Sequence, residues 1–242
     1  MKKNNILKLG NLILLIYIIA NFTIISSNCN SPNNINIYEE EKYINPIEVI
    51  NKSGKSIEKI NSFYLDLSHE NGFTFISNNL SLKAAKGYII NSRELNIEFD
   101  GLIGGIPIKS GVIVTNQSTY LKNPLNEIWE NIPENINPIN FFDPSEGISN
   151  ILNDISEPII IENTAEKYVI KGILPNKSLA SLVPEPIEKA NIEALLTIRK
   201  SDFLLSKAIL IGNINNMEPD NTKRIIKLSK FNEIESISRP KQ

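Results

Sequence analysis

A single capped helix in a chain otherwise written with period two is the feature that most limits how these residues can fold. Residues Asp143 to Ile155 read DPSEGISNILNDI. Asp143 suits an N-cap, Pro144 suits the first helical position, and Glu146 stands three residues after the cap, as in a capping box. Ile148, Ile151, Leu152 and Ile155 follow at i, i+3, i+4 and i+7, while Ser149, Asn150, Asn153 and Asp154 occupy the other side. A helix of about three turns with one apolar face does not hold itself together in water. It needs an apolar surface to lie on.

The flanking sequence supplies that surface as strands. Phe63, Leu65 and Leu67 alternate with Tyr64, Asp66 and Ser68, and Asn71-Gly72 reads as a hairpin-type turn into Phe73 and Phe75. Leu82, Ala84 and Tyr88 mark a third strand. Leu95, Ile97 and Phe99 alternate with Glu94, Asn96, Glu98 and Asp100, and Gly101, Gly104 and Gly105 turn the chain into Ile106, Ile108, Val112 and Val114. No helix follows those glycines, so they form a loop and not a phosphate cradle. Past the capped helix, Ile159 to Ile161 and Lys167 to Ile173 read as strands. Leu174-Pro175-Asn176 then opens a short helix carrying Leu179, Leu182 and Val183. Ile192 to Ile198, Leu204 to Ile211 and Lys223 to Leu228 make a second meander. A front helix or two, broken at Gly54, carries Ile47, Ile50, Ile57 and Ile60.

About nine to eleven one-sided strands imply an antiparallel sheet with one solvated face, and a sheet that wide twists and curls. The expected fold is α+β: a strongly curved antiparallel sheet, a half-barrel, with a few short helices packed on its concave face. Such a sheet encloses a volume lined by Ile, Leu, Val and Phe. The expected lining is Leu95, Ile97, Phe99, Ile108, Val112 and Val114, with Ile148, Ile151 and Leu152 across from them.

Composition narrows the chemistry. The 25 basic and 27 acidic side chains form no basic cluster of the kind that nucleic acid requires. One His and one Cys leave no room for a Cys/His zinc site or an internal disulfide. His69, in SHENG, reads as an exposed turn residue. The acid pairs Glu98 with Asp100 and Glu127 with Glu130 fall on polar faces or loops, and there is no Gly-x-Ser-x-Gly elbow. Neither catalysis nor a cofactor or metal is expected.

Residues 1–28 resemble a secretory signal peptide: Lys2, Lys3 and Lys8 precede the apolar run Leu12 to Ala20, which continues past Asn21 to Ile25. The sole cysteine, Cys29, follows at once, as the lipidated residue of a bacterial lipoprotein would. Ser26 and Asn28 depart from the usual lipobox residues, and the alternative is a free thiol beside a conventionally cleaved leader. Residues 29–45 are polar and aperiodic and read as a flexible tether, and residues 46–242 as one folded domain, which the resemblance described next implies is lipid-binding.

Four segments in order, TYLKNPLNEIW (Thr119 to Trp129), DPSEGISNIL, GILPNKSLASLVP and LSKFNE, resemble the LppX/LprG family of lipid-binding bacterial lipoproteins. The resemblance runs from about Ser62 to Ile237. It implies a LolA/LolB-like half-barrel closed by helices, an apolar cavity for the acyl chains of a lipid or glycolipid, and Cys29 as the membrane anchor. It also implies an exported protein on the outer face of the cell membrane that shuttles lipid across the envelope, with a lipid transporter as a further partner. The family has no fixed binding motif, so no cavity residue carries over individually. The alternative is a surface assembly lipoprotein whose curved sheet receives a protein partner.

Overall fold

The computed structural model describes residues 44–77, 79–91, 94–133 and 139–241. Cys29, the leader and nearly all of the expected tether lie outside them. From Ile44 onward the chain is one compact unit.

Helix α1 (Pro46–Ile57) starts at Asn45, whose side chain accepts a hydrogen bond from the Ile47 N–H, and buries Val49, Ile50 and Ile57. It runs through Gly54 without a break, contrary to the expected interruption. A lone glycine costs a helix only about 1 kcal/mol, which the buried face offsets. Helix α2 (Pro144–Asp154) is the capped helix of the sequence, with Asp143 accepting from the Glu146 N–H and Ile148, Ile151 and Leu152 buried. The reciprocal half of the capping box is absent: the Glu146 carboxylate accepts from the Ser181 hydroxyl at 2.8 Å. That bond ties α2 to the segment between two later strands. This segment is a 3-10 turn over Asn176–Leu179 followed by irregular turns, where a short helix was expected.

The strands are β1 (Ser62–Asn71), β2 (Thr74–Ser77), β3 (Leu80–Ile90), β4 (Glu94–Ile103), β5 (Ile106–Thr115), β6 (Ser118–Lys122), β7 (Trp129–Ile132), β8 (Ser156–Asn163), β9 (Lys167–Pro175), β10 (Asn191–Arg199), β11 (Leu205–Ile211) and β12 (Lys223–Ser229). They form one open 12-stranded sheet in the order β7-β6-β5-β4-β3-β1-β12-β11-β10-β9-β8, with β2 pairing β3 beside that path. Every pairing is antiparallel. Asn71-Gly72 is therefore not a two-residue hairpin. β1 parts from β3 after Ser68 and runs on beside β12 to Asn71, and β2 pairs with the next stretch of β3, Leu82 to Leu80.

The order has one consequence that positions everything else. Strands β7 and β8 follow each other in sequence yet lie at opposite edges of the sheet. The chain joining them has to cross from one edge to the other, and it crosses the concave face carrying α2.

The concave face has two unlike halves. Over β9 and β10 it is packed solid: Ile170, Leu174, Ala194, Leu196 and Ile198 are all buried in the core shared with α1, α2 and the 3-10 turn. Over β1 to β5 small residues interrupt the apolar rows. The register shifts between Leu82 and Ala84, so Ala85 lies between Leu67 and Phe99, and Gly87 between Leu65 and Ile97. Ala84 and Tyr88, expected to share the face of Leu82, are turned outward. The bulge changes the phase of the strand. On the outer face Tyr88 packs edge-on against Tyr64 at 4.9 Å, with the Lys230 ammonium over both rings. That face is not uniformly solvated either, since half-buried Leu195, Ile209 and Ile225 form a paired row across β10, β11 and β12.

Gly87 is required by close approach. A Cβ there would lie 1.9 Å from the Asn96 carbonyl oxygen and 2.7 Å from the Ile97 Cα, both backbone atoms that no side-chain rotation can clear. Gly87→Ala is expected to cost on the order of 3 kcal/mol, read as a lower midpoint in urea unfolding with an unchanged slope. A neutral result would show that the sheet relaxes there.

Candidate functional site: an apolar cavity under the crossing segment

Between the small-residue half of the sheet and the crossing segment lies an unfilled cavity of about 180 Å³. Its floor is Leu65 and Leu67 of β1, Leu82 and Ala85 of β3, Ile97 and Phe99 of β4, and Ile108, Ser110 and Val112 of β5. Thr119 and Leu121 of β6 and Ile132 of β7 form the side wall. The roof is Ile139, Phe141, Phe142, Pro144 and Ile148 of the crossing segment, with Leu179, Leu182 and Val183 from the chain between β9 and β10. Nearly every lining group is hydrocarbon. For scale, an apolar cavity of ~150 Å³ lined by Leu, Ile and Phe stays dry and takes up benzene or xenon.

The hollow has a local cause. Interiors normally fill to crystal-like density. Here Ala85 and Ser110 stand on the floor where bulky residues would close the space. The roof is held off the floor because α2 is braced at its other end. Ile151 and Leu152 are sunk in the solid core, and Gly147 lies so close to Leu182 that an added Cβ would be 2.3 Å from its Cγ.

Of the residues expected from the sequence, Ile97, Phe99, Ile108, Val112 and Ile148 line the cavity. Leu95, Val114, Ile151 and Leu152 do not. Leu95, Ile151 and Leu152 are buried core, and half-buried Val114 packs against that core. The floor residues of β1 and β3, and the aromatic roof, came into no expectation.

The rear of the cavity holds a buried polar knot. Arg224 of β12 is only 2% exposed and lines the cavity with Thr74. It forms an ion pair with buried Glu218, and its Nε and Nη1 donate to the Thr74 hydroxyl (2.9 Å) and the Gly212 carbonyl (3.0 Å). The Glu218 carboxylate also accepts from the N–H groups of Phe75 (3.0 Å), Ile214 (2.8 Å) and Asn215 (3.3 Å). Side chains then lock the β11–β12 loop to the β9–β10 chain: Asn176 Nδ2 donates to the Asn213 and Ile214 carbonyls, and Asn215 Nδ2 to those of Pro184 and Glu185. One ion pair thus anchors β2 and the rear wall together. The signal for it was present in β12, where Arg224 shares the inward phase with Ile226 and Leu228.

His69 belongs to this knot and is not an exposed turn residue. It lies in β1 opposite Arg224, half-buried, with Nδ1 2.7 Å from the Lys83 carbonyl oxygen and Nε2 3.0 Å from the Thr74 hydroxyl. A carbonyl only accepts, so Nδ1 carries the hydrogen. Nε2 then accepts from Thr74, which in turn accepts from Arg224. Burial holds the His69 pKa below its ordinary 6.5, with the Arg224 and Lys83 charges acting the same way, while the bond to the Lys83 carbonyl and the charge of Glu218 oppose. Between the folded and unfolded values the unfolded chain binds more protons. Stability is therefore full above pH 6.5 and declines as pH falls from there to the folded value. Thermal unfolding between about pH 7.5 and 5.5 should show that decline, and His69→Gln should flatten it. An equal slope in the variant would assign the decline to other groups.

Among the described residues no cluster of His, Cys, Asp and Glu fits a metal ion, and no helix is long and apolar enough to cross a membrane. Glu98 and Asp100 point outward from β4, Glu127 pairs with Lys122 (2.9 Å), and Glu130 accepts from Asn123 (3.0 Å), all at the surface.

This chain shares its fold, a half-open antiparallel sheet with helices in its hollow, with two mycobacterial proteins of known structure. It is similar to LprF from Mycobacterium bovis, with a TM-score of 0.62 and 14% identity over 81% of this chain and 96% of that one. It is similar also to the Mycobacterium tuberculosis lipoprotein LppX, with a TM-score of 0.55 and 16% identity over 79% of this chain and 97% of that one. No family model matches the sequence, and no curated protein matches it.

Proposed function

We propose that the protein is a membrane-anchored lipid carrier. It takes an acyl chain of a lipid or glycolipid into the cavity and moves it across the cell envelope without catalysis. The observation that carries this reading is the hollow itself: hydrocarbon walls, with a rigid cause for staying unfilled, in the fold of a chain whose neighbour LppX is a lipoprotein. A cavity lined this way binds by exclusion from water and has few polar groups to select a headgroup. Selection then falls on chain length and on groups at the opening. In this reading residues 1–28 are removed, Cys29 carries the lipid anchor, and residues 29–45 tether the domain to the outer face of the membrane. An acyl anchor contributes ~0.8 kcal/mol per buried CH₂.

Native mass spectrometry of the purified protein tests the reading. The expected result is added mass from co-purifying lipid, retained until the protein is denatured. A protein that emerges bare, and stays bare after incubation with phospholipid and acylglycerol, overturns it.

A further inference from the structure

Several of the most exposed large apolar side chains lie at one end of the half-barrel. Ile106 (70% exposed) stands at the tip of the β4–β5 hairpin, next to half-exposed Ile103, and Leu125 (93%) and Ile128 (59%) lie in the β6–β7 loop. The pairing register places these two turns at the same end. Ile103 faces Ile106, while Val112 faces Leu121, so the chain leaving β6 runs alongside Ile108 toward the hairpin tip. Both turns are continuous with the cavity: Ile103 and Ile108 line it from one side and Pro124 from the other. The hairpin tip, Ile103-Gly104-Gly105-Ile106, carries no charge.

We propose that this rim is the surface by which the protein seats on a lipid bilayer, dipping Ile106, Leu125 and Ile128 into the acyl region so that a chain enters the cavity without crossing water. The proposal rests on the carrier reading above and names the partner of the same site. A bilayer is the occupant favoured because isolated aliphatic side chains on separate turns need apolar depth and no matching shape. Their line also continues into a cavity of the same chemistry. A folded protein partner would call for a flat or grooved patch with polar bonds at its margin.

Cys29 is the only cysteine, so the full chain bearing Cys29→Ser accepts a single reporter thiol. An environment-sensitive fluorophore is attached at Ile106→Cys or, as the control at the opposite end of the strands, at Asn116→Cys. The vesicles are phosphatidylcholine with brominated acyl chains. Seating by the rim should quench the probe at position 106 at least about twofold and leave position 116 unchanged, since the bromines lie below the headgroups. Leu125→Asn with Ile128→Asn should abolish that quenching while uptake of a fluorescent fatty acid is kept. Equal quenching at both positions, or none at 106 while the chain co-sediments with vesicles, overturns the proposal and leaves the carrier reading intact. Loss of fatty-acid uptake by the unsubstituted chain would overturn the carrier reading instead.

Discussion

Replacing Glu218 with alanine should remove about 3–5 kcal/mol of folding stability, because it leaves the Arg224 guanidinium buried without its counter-charge. The N–H groups of Phe75, Ile214 and Asn215 lose their acceptor in the same step. Domains are stable by only about 5–15 kcal/mol, so the loss is a large share of the total. A second variant separates the cost of breaking the pair from its net worth. Arg224→Met with Glu218→Gln removes both charges and keeps an amide oxygen for the Ile214 and Asn215 N–H groups, which share one carboxylate oxygen, leaving the Phe75 N–H without its acceptor. Buried pairs replaced by neutral groups are often close to neutral in stability, so the double variant should recover most of the loss. Urea unfolding with a fixed slope measures both. If Glu218→Ala shifts stability by less than about 1 kcal/mol, the knot does not hold the rear wall.

The knot illustrates what was legible in the sequence and what was not. The helix at Asp143, the strand phases of β1, β4 and β5, and the curled sheet follow from local spacing, which the chain states plainly. The inward placement of Arg224 was visible too, as a charge in the phase of Ile226 and Leu228. Its partner was not, because Glu218 sits in an irregular loop with no periodicity to give it a direction. His69 differs: it continues the inward phase of Leu65 and Leu67, but its burial depends on β2 and on Arg224 of the distant strand β12, which its own segment does not announce.

The largest gap concerns the hollow. A single bulge between Leu82 and Ala84 reverses which residues of β3 face inward. Read without it, the strand presents Ala84 and Tyr88 to the interior, and a tyrosine would occupy the space. With it, the strand presents Ala85 and Gly87. Bulges arise from pairing with a neighbour and leave little trace in one strand's own alternation. The division of the expected lining has a similar origin. Leu95, Ile151 and Leu152 have the right phase, but they lie toward the end where α2 is braced and the core is solid.

That one-residue change of phase gives the sharpest test of the cavity. Ala85→Phe places a ring on the floor, between Leu67 and Phe99, whereas Ala84→Phe places the same ring on the outer face, between Ser68 and Asp100. Filling an apolar void restores dispersion contacts and buries hydrocarbon, so Ala85→Phe should hold or raise the Tm. The same ring excludes an acyl chain, and the Kd for a fluorescent long-chain fatty acid should rise at least about tenfold, a loss of about 1.4 kcal/mol or more. Ala84→Phe should leave the Kd unchanged. General damage to the fold lowers Tm and affinity together, whereas an occupied cavity moves them apart. If Ala85→Phe binds the fatty acid as tightly as the parent chain, the ligand sits elsewhere and the hollow is not the binding site.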